Sequence, residues 1–120
     1  MLNEGNIHSY FAHPVFQYKL QNYQDHNKEL TKYIYQLYVD DKEGVKKTNI
    51  NGWHSKSFIF TEKEDAAIKF FKATQVYVAD VFKKYGWLYD HKKIVCNSMW
   101  SIINKKNNFN IEHTHPNNYI

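Results

Sequence analysis

Residues 93–104 constrain this chain more than any other stretch. In an extended segment Ile94, Cys96, Ser98, Trp100 and Ile102 fall on one face, and Val95, Asn97, Met99, Ser101 and Ile103 on the other. Both faces are largely apolar, the pattern of a strand covered on two sides. Such a strand cannot stand alone, because an unpaired apolar edge is an aggregation liability. Everything else in the sequence has to supply its partners and its cover.

A length of 120 residues allows one domain at most, enough for a core. Pro14 and the loosely alternating Val15, Phe16, Gln17, Tyr18, Lys19 and Leu20 read as a short strand. Asp25 is placed to cap a helix over residues 26–40, with Leu30, Tyr33, Ile34 and Leu37 as its apolar stripe and Lys28, Lys32 and Gln36 outside. Gly44 closes that region. Residues 45–57 read as a polar linker holding an Asn51-Gly52 turn, followed by Trp53, His54 and Ser55. Thr61 and Glu64 form a capping box for a second helix that runs to about Tyr85, with Gly86 as its stop. Ala67, Phe71, Thr74, Val78, Phe82 and Tyr85 line one face of it, and Lys69, Lys72, Asp80 and Lys83 the opposite, solvated one. Both helices are expected to rest on residues 94–103. One main strand and a short one cannot cover two apolar stripes well or close a barrel. The sequence therefore expects a further surface, either a missing C-terminal half or self-association with another subunit.

Charge and cysteine usage exclude several function classes. The net charge of +4 is mild, and all sixteen basic residues are lysine. A chain without arginine lacks the bidentate guanidinium fork on which specific base reading leans, so a nucleic-acid partner is not expected. The aromatics (ten Tyr, eight Phe, three Trp) point to a globular chain, and they read as core rather than as a stacking platform. The single Cys96 rules out an internal disulfide and fits a reducing, cytoplasmic setting. Residues 1–10 include Glu4 and no apolar centre, so no secretory signal is expected. No run approaches the length of a membrane span.

The chemistry-bearing segment is Glu112-His113-Thr114-His115-Pro116. If it is extended, His113 and His115 share a face, about 7 Å apart at the backbone, and can swing onto one metal ion. Imidazole suits Fe, Zn, Cu and Ni alike. The competing reading is a solvated loop whose histidines bind nothing. Of the other histidines (His8, His13, His26, His54 and His91) none stands in a ligand pattern. His54, beside Trp53, is the best of them, and it reads first as a turn or packing residue. A structural zinc site is disfavoured, since one cysteine is available and no four-ligand spacing occurs.

Several pieces in order resemble a known family. They are Pro14 with its strand, Asn49-Ile50-Asn51-Gly52-Trp53-His54-Ser55, Ser98-Met99-Trp100 with Ile103-Asn104-Lys105-Lys106, and His113-Thr114-His115-Pro116-Asn117. Together they resemble the 2-oxoglutarate/Fe(II)-dependent oxygenases common in marine bacteria and their phages, over nearly the whole chain. The resemblance implies an α+β chain whose two helices front the first strands of a double-stranded β-helix, the jelly-roll. It implies Fe(II) and 2-oxoglutarate as cofactors, a facial triad of two histidines and a carboxylate, and an unidentified substrate for hydroxylation. His113 takes the first ligand position, and His115 stands where the family carries an acid. That departure removes one negative charge from the site, so His115 is a ligand, a residue behind the ligands or a substrate contact. Trp100 and Asn104 are implied to line the cofactor pocket, with a core role as the alternative for Trp100.

The family continues with a Ser-Gly-x-Tyr-Tyr strand, a distal histidine ligand and a basic anchor for 2-oxoglutarate, none of which follows here. The expectation is the N-terminal portion of such a dioxygenase, through truncation, a split reading frame or cropping, and inactive alone. The alternative is a small, non-enzymatic, basic-aromatic binding or structural domain.

Overall fold

A computed structural model describes residues 14–58, 65–87 and 96–115. The architecture is α+β, with helix α1 (Tyr23–Asp40), strands β1 (Asn49–Ile50) and β2 (Trp53–His54), helix α2 (Ala66–Lys84), and strands β3 (Ile102–Ile103) and β4 (Phe109–Asn110). The capping box of Thr61 and Glu64, the strand residues Ile94 and Val95, and His8, His13, His91 and Pro116 lie outside the described residues. Among the described residues no helix is long and apolar enough to cross a membrane.

Both helices form where their stripes predict, and their starts differ. In α1, Leu30, Tyr33, Ile34 and Leu37 are the half-buried stripe, while Lys28, Lys32 and Gln36 are exposed. Asp25 is not the cap. Asn22 occupies that position in the left-handed region (φ 52°), and its carbonyl accepts from the Asp25 and His26 amides at 3.1 and 3.2 Å. Asp25 sits in the first turn, where a carboxylate faces the positive end of the helix dipole. α2 starts at Asp65, whose side chain accepts from the Ile68 amide at 2.9 Å. Burial first, then the charge of the nearby Asp65 carboxylate, pushes the pKa of the Tyr33 phenol of α1 up. At the other end Gly86 (φ 68°) behaves as the sequence predicts. Its amide bonds the Lys83 carbonyl and that of Trp87 bonds Phe82, a Schellman closure sealed by the Phe82–Trp87 ring contact at 5.1 Å.

The expected strand over residues 15–20 does not form. That stretch lies along α2 instead, with Phe16 against Tyr85 (5.3 Å) and Tyr18 against Tyr77 (5.0 Å). The Tyr18 hydroxyl donates to Asp80 at 2.7 Å. Aromatic side chains on alternate positions find a helix surface as readily as a sheet.

The strands form one interrupted antiparallel ribbon in which residues 48–58 run against 99–111. β1 pairs with β4 and β2 with β3, giving two sheets of two strands. The bend between β1 and β2 is the predicted Asn51-Gly52 turn, with Asn51 at φ 58° and the Asn49 side-chain Nδ2 donating to the Gly52 carbonyl at 2.7 Å. Beyond β2 an isolated Phe58–Met99 bridge continues the ribbon. Three steps from Ser55 to Phe58 face two from Ser101 to Met99, so the first strand carries one extra residue, the count of a β-bulge.

Three expectations change here. Residues 45–57, read as a polar linker, contain Trp53, His54 and Ser55, all buried. Residues 94–103 were expected to be covered on both faces. In the described part Met99, Ser101 and Ile103 turn inward, whereas Trp100 and Ile102 are 40% and 38% exposed. The helices also rest mainly on each other rather than on this strand. Lys69 pairs with Glu29 at 3.2 Å, and the ring contacts of α1 are Tyr33 with Phe58 and Tyr38 with Trp53. Among the described residues the buried apolar core is Trp53, Ala67 and Phe82.

The caps give a direct check. Asp65→Ala removes the α2 cap and should lower stability by about 1–2 kcal/mol. Asp25→Ala removes only a favourable dipole contact, about 0.5 kcal/mol. Urea denaturation that ranks the two in the opposite order contradicts this assignment.

Candidate metal and ligand cleft

The site is built from the α1 exit upward. The Asp41 carbonyl accepts from the Trp53 indole N–H at 2.8 Å, which satisfies a buried donor. The Asp41 carboxylate accepts from the Gly44 amide at 3.2 Å and pairs with Lys56 at 2.8 Å. The Lys56 ammonium, and then the Gly44 amide, hold that carboxyl below the usual carboxylate range. Gly44 (φ 60°) lies so close to the His54 carbonyl and the Trp53 indole that a Cβ has no room there. This corner fixes Trp53 pointing inward, and His54 follows at the next position of β2.

Ser55 then decides what the His54 ring does. The Ser55 amide donates to the Ser101 carbonyl at 2.9 Å, as a ladder requires. The return bond is unusual, because the Ser101 amide donates to the Ser55 hydroxyl, also at 2.9 Å. The Ser55 carbonyl is thereby left for His54 Nδ1, 2.6 Å away. A carbonyl only accepts, so Nδ1 carries the proton and the neutral ring keeps its lone pair on Nε2.

From His54 a row of rings crosses the open face of residues 99–103. The His54 ring lies parallel to Trp100 (6.1 Å, 11°), and Trp100 lies parallel to His115 (5.7 Å, 18°). His115 meets His113 edge-on, with centroids 4.7 Å apart. The Ile111 amide extends the ladder beyond β4 to the Thr48 carbonyl at 2.8 Å. The Ile111 carbonyl faces His113 Nδ1 at 2.8 Å. His113 therefore also carries its proton on Nδ1 and presents Nε2 as a lone pair, the arrangement that orients metal-binding histidines. Residues 111–115 are exposed and without regular secondary structure, as a solvated loop would be; the ring contacts are what set them apart.

These rings border a cleft of about 400 Å³ lined by Trp100 and Ile102 together with His54, His113 and His115. Lys47, Thr48 and Asn110 also line it. The predicted pair His113 and His115 is thus brought together with Trp100. Asn104 is not in the cleft: its side chain packs against Gly52 on the turn. His26 lies in α1, away from the group. Among the described residues no three His, Cys, Asp or Glu side chains converge as a metal-binding set. Sequence reasoning missed Ser55 and Lys47 and undervalued His54. The Trp-His-Ser run inside an otherwise polar segment was the available signal. The chain matches no family model, and no curated protein or solved structure shows significant similarity to it.

Ser55→Ala tests the support of the site. It leaves the buried Ser101 amide without an acceptor and should cost about 1–3 kcal/mol. Ser55→Thr keeps the hydroxyl and should cost less. Equal losses in thermal or urea unfolding contradict the role given to this oxygen.

Proposed function

We propose that the Trp100 cleft is the metal end of a non-haem Fe(II)/2-oxoglutarate-dependent oxygenase, with residues 48–58 and 99–111 as the first strands of its double-stranded β-helix. The observation that carries this reading is the His113–His115 pair. The two rings stand side by side at the cleft, and the proton of His113 is committed to the Ile111 carbonyl. The fit to iron is that of two ligands. A third has to come from outside the described residues, and His115 in the place of a carboxylate leaves one negative charge fewer to hold a cation.

Within that reading each residue has a limited task. His113 and His115 hold the metal through imidazole nitrogen. Trp100 sets the plane of the His115 ring, and His54, locked by Ser55, stacks on Trp100 in turn. The apolar surfaces of Trp100 and Ile102 keep water from part of the cleft, which strengthens polar contacts made there. Bound iron with 2-oxoglutarate would supply oxidising power for hydroxylating a substrate. A second reading, a metal-free binding domain, is favoured by the absence of a third ligand among the described residues.

Calorimetric titration with Co(II), as a stable surrogate for Fe(II), separates the two. The wild-type chain should show one weak site, and His113→Ala should weaken it at least about tenfold. Binding should fade as pH falls below about 6.5, where free imidazole protonates and stops ligating. Indistinguishable wild type and His113→Ala isotherms favour the metal-free reading.

A further inference from the structure

One buried ring at the cleft carries an acceptor that the fold does not use. His54 is only 8% exposed, yet it lines the cleft. Its Nδ1 proton is committed to the Ser55 carbonyl at 2.6 Å, which leaves the Nε2 lone pair as an acceptor. Among the described residues no donor bonds Nε2. Among them, too, the one buried side-chain atom sealed from solvent without a partner is the Ser98 hydroxyl, so His54 Nε2 opens on the cleft. Nearly every buried polar atom in a folded protein has a partner, and this one is held where only a group entering the cleft can supply it.

The walls beside that acceptor decide the shape of the group that enters. His54 and Trp100 lie within 11° of parallel, and Trp100 and His115 within 18°, so three ring planes run the same way along the cleft. Trp100 keeps 40% of its surface open, and Ile102 adds an apolar flank. A flat ring set parallel to these planes meets carbon on Trp100 and Ile102, and offset stacking is an arrangement that aromatic pairs prefer. No aspartate or glutamate lines the cleft, so a cationic donor finds no counter-charge there, whereas a neutral N–H or O–H needs none. We propose that this cleft binds a compact, uncharged aromatic ring, stacked on Trp100, whose N–H or O–H donates to His54 Nε2. The inference deepens the functional reading above by naming a substrate class, and rests on it for calling that ligand a substrate; binding of the ring itself needs no metal. The volume, near the lower end of the range for small-molecule sites, suits one or two fused rings.

The test uses the full chain, stripped of metal with a chelator and titrated with indole while amide and imidazole nitrogen shifts are followed. Saturable binding in the millimolar range is expected, with the Nε2 resonance of His54 moving and Nδ1 staying protonated. Benzofuran, which keeps the shape of indole without its N–H, should bind at least about fivefold more weakly, the loss of one hydrogen bond. Phenol should bind more tightly than cyclohexanol, which keeps the O–H and loses the plane. Trp100→Leu should weaken indole about tenfold. The two ligand comparisons are read on wild type alone, so they stand whether or not a variant folds. The proposal is overturned if indole does not bind up to its solubility limit, if benzofuran binds as tightly as indole, if cyclohexanol matches phenol, or if a folded Trp100→Leu chain binds indole as wild type does. Parallel Co(II) titration of wild type and His113→Ala keeps the two claims apart. Loss of the ring site leaves His113-dependent metal binding standing, and loss of metal binding leaves the indole result standing.

Discussion

The Ser55 hydroxyl is the contact on which the rest of the site depends. By accepting the Ser101 amide it keeps the ribbon closed at the point where one strand carries an extra residue. By doing so in place of its own carbonyl, it leaves that carbonyl to fix His54. Both serines are buried, so neither bond can be exchanged for water at low cost. The stacked row from His54 through Trp100 to His115 then inherits its orientation from a side chain one position away from the first ring.

A strand with two apolar faces and cover on one leaves an apolar wall, and in this chain that wall is the cleft. Met99, Ser101 and Ile103 face inward, while Trp100 and Ile102 remain outside, lining the cleft with imidazoles and a lysine nearby. The same geometry explains the modest core. No residue of α1 is buried, and of the α2 stripe Ala67 and Phe82 are, among the described residues. Cofactor and metal chemistry as proposed would draw on this open face rather than on the core beneath it.

Legibility in the sequence followed the range of the forces involved. Local periodicity and local stops were readable: the stripe of Leu30, Tyr33, Ile34 and Leu37, the Gly86 closure and the Asn51-Gly52 turn all stand where side-chain spacing and positive φ require them. The same-face relation of His113 and His115 was readable for the same reason, and their rings do meet. What failed was non-local. Residues 45–57 looked like a linker because their polar groups are satisfied by partners dozens of positions away, as Ser55 is by Ser101. Asp25 seemed a cap because a carboxylate suits a first turn as well as a cap position. Trp100 and Asn104, which the resemblance implies to share a pocket, sit apart: Asn104 packs on the Gly52 turn and Trp100 lines the cleft. The enzymatic reading itself still rests on resemblance joined to this imidazole geometry.

The central claim is that His113 and His115 form one two-imidazole metal site while His54 serves as their fixed support. Long-range nitrogen–proton spectra of the imidazole rings, recorded during titration with Zn(II), test it most directly. The account predicts that the Nε2 resonances of His113 and His115 shift together at one stoichiometric equivalent, and that His54 keeps its Nδ1-protonated pattern throughout. A spectrum in which His113 and His115 respond independently, or in which His54 binds the metal first, would contradict it.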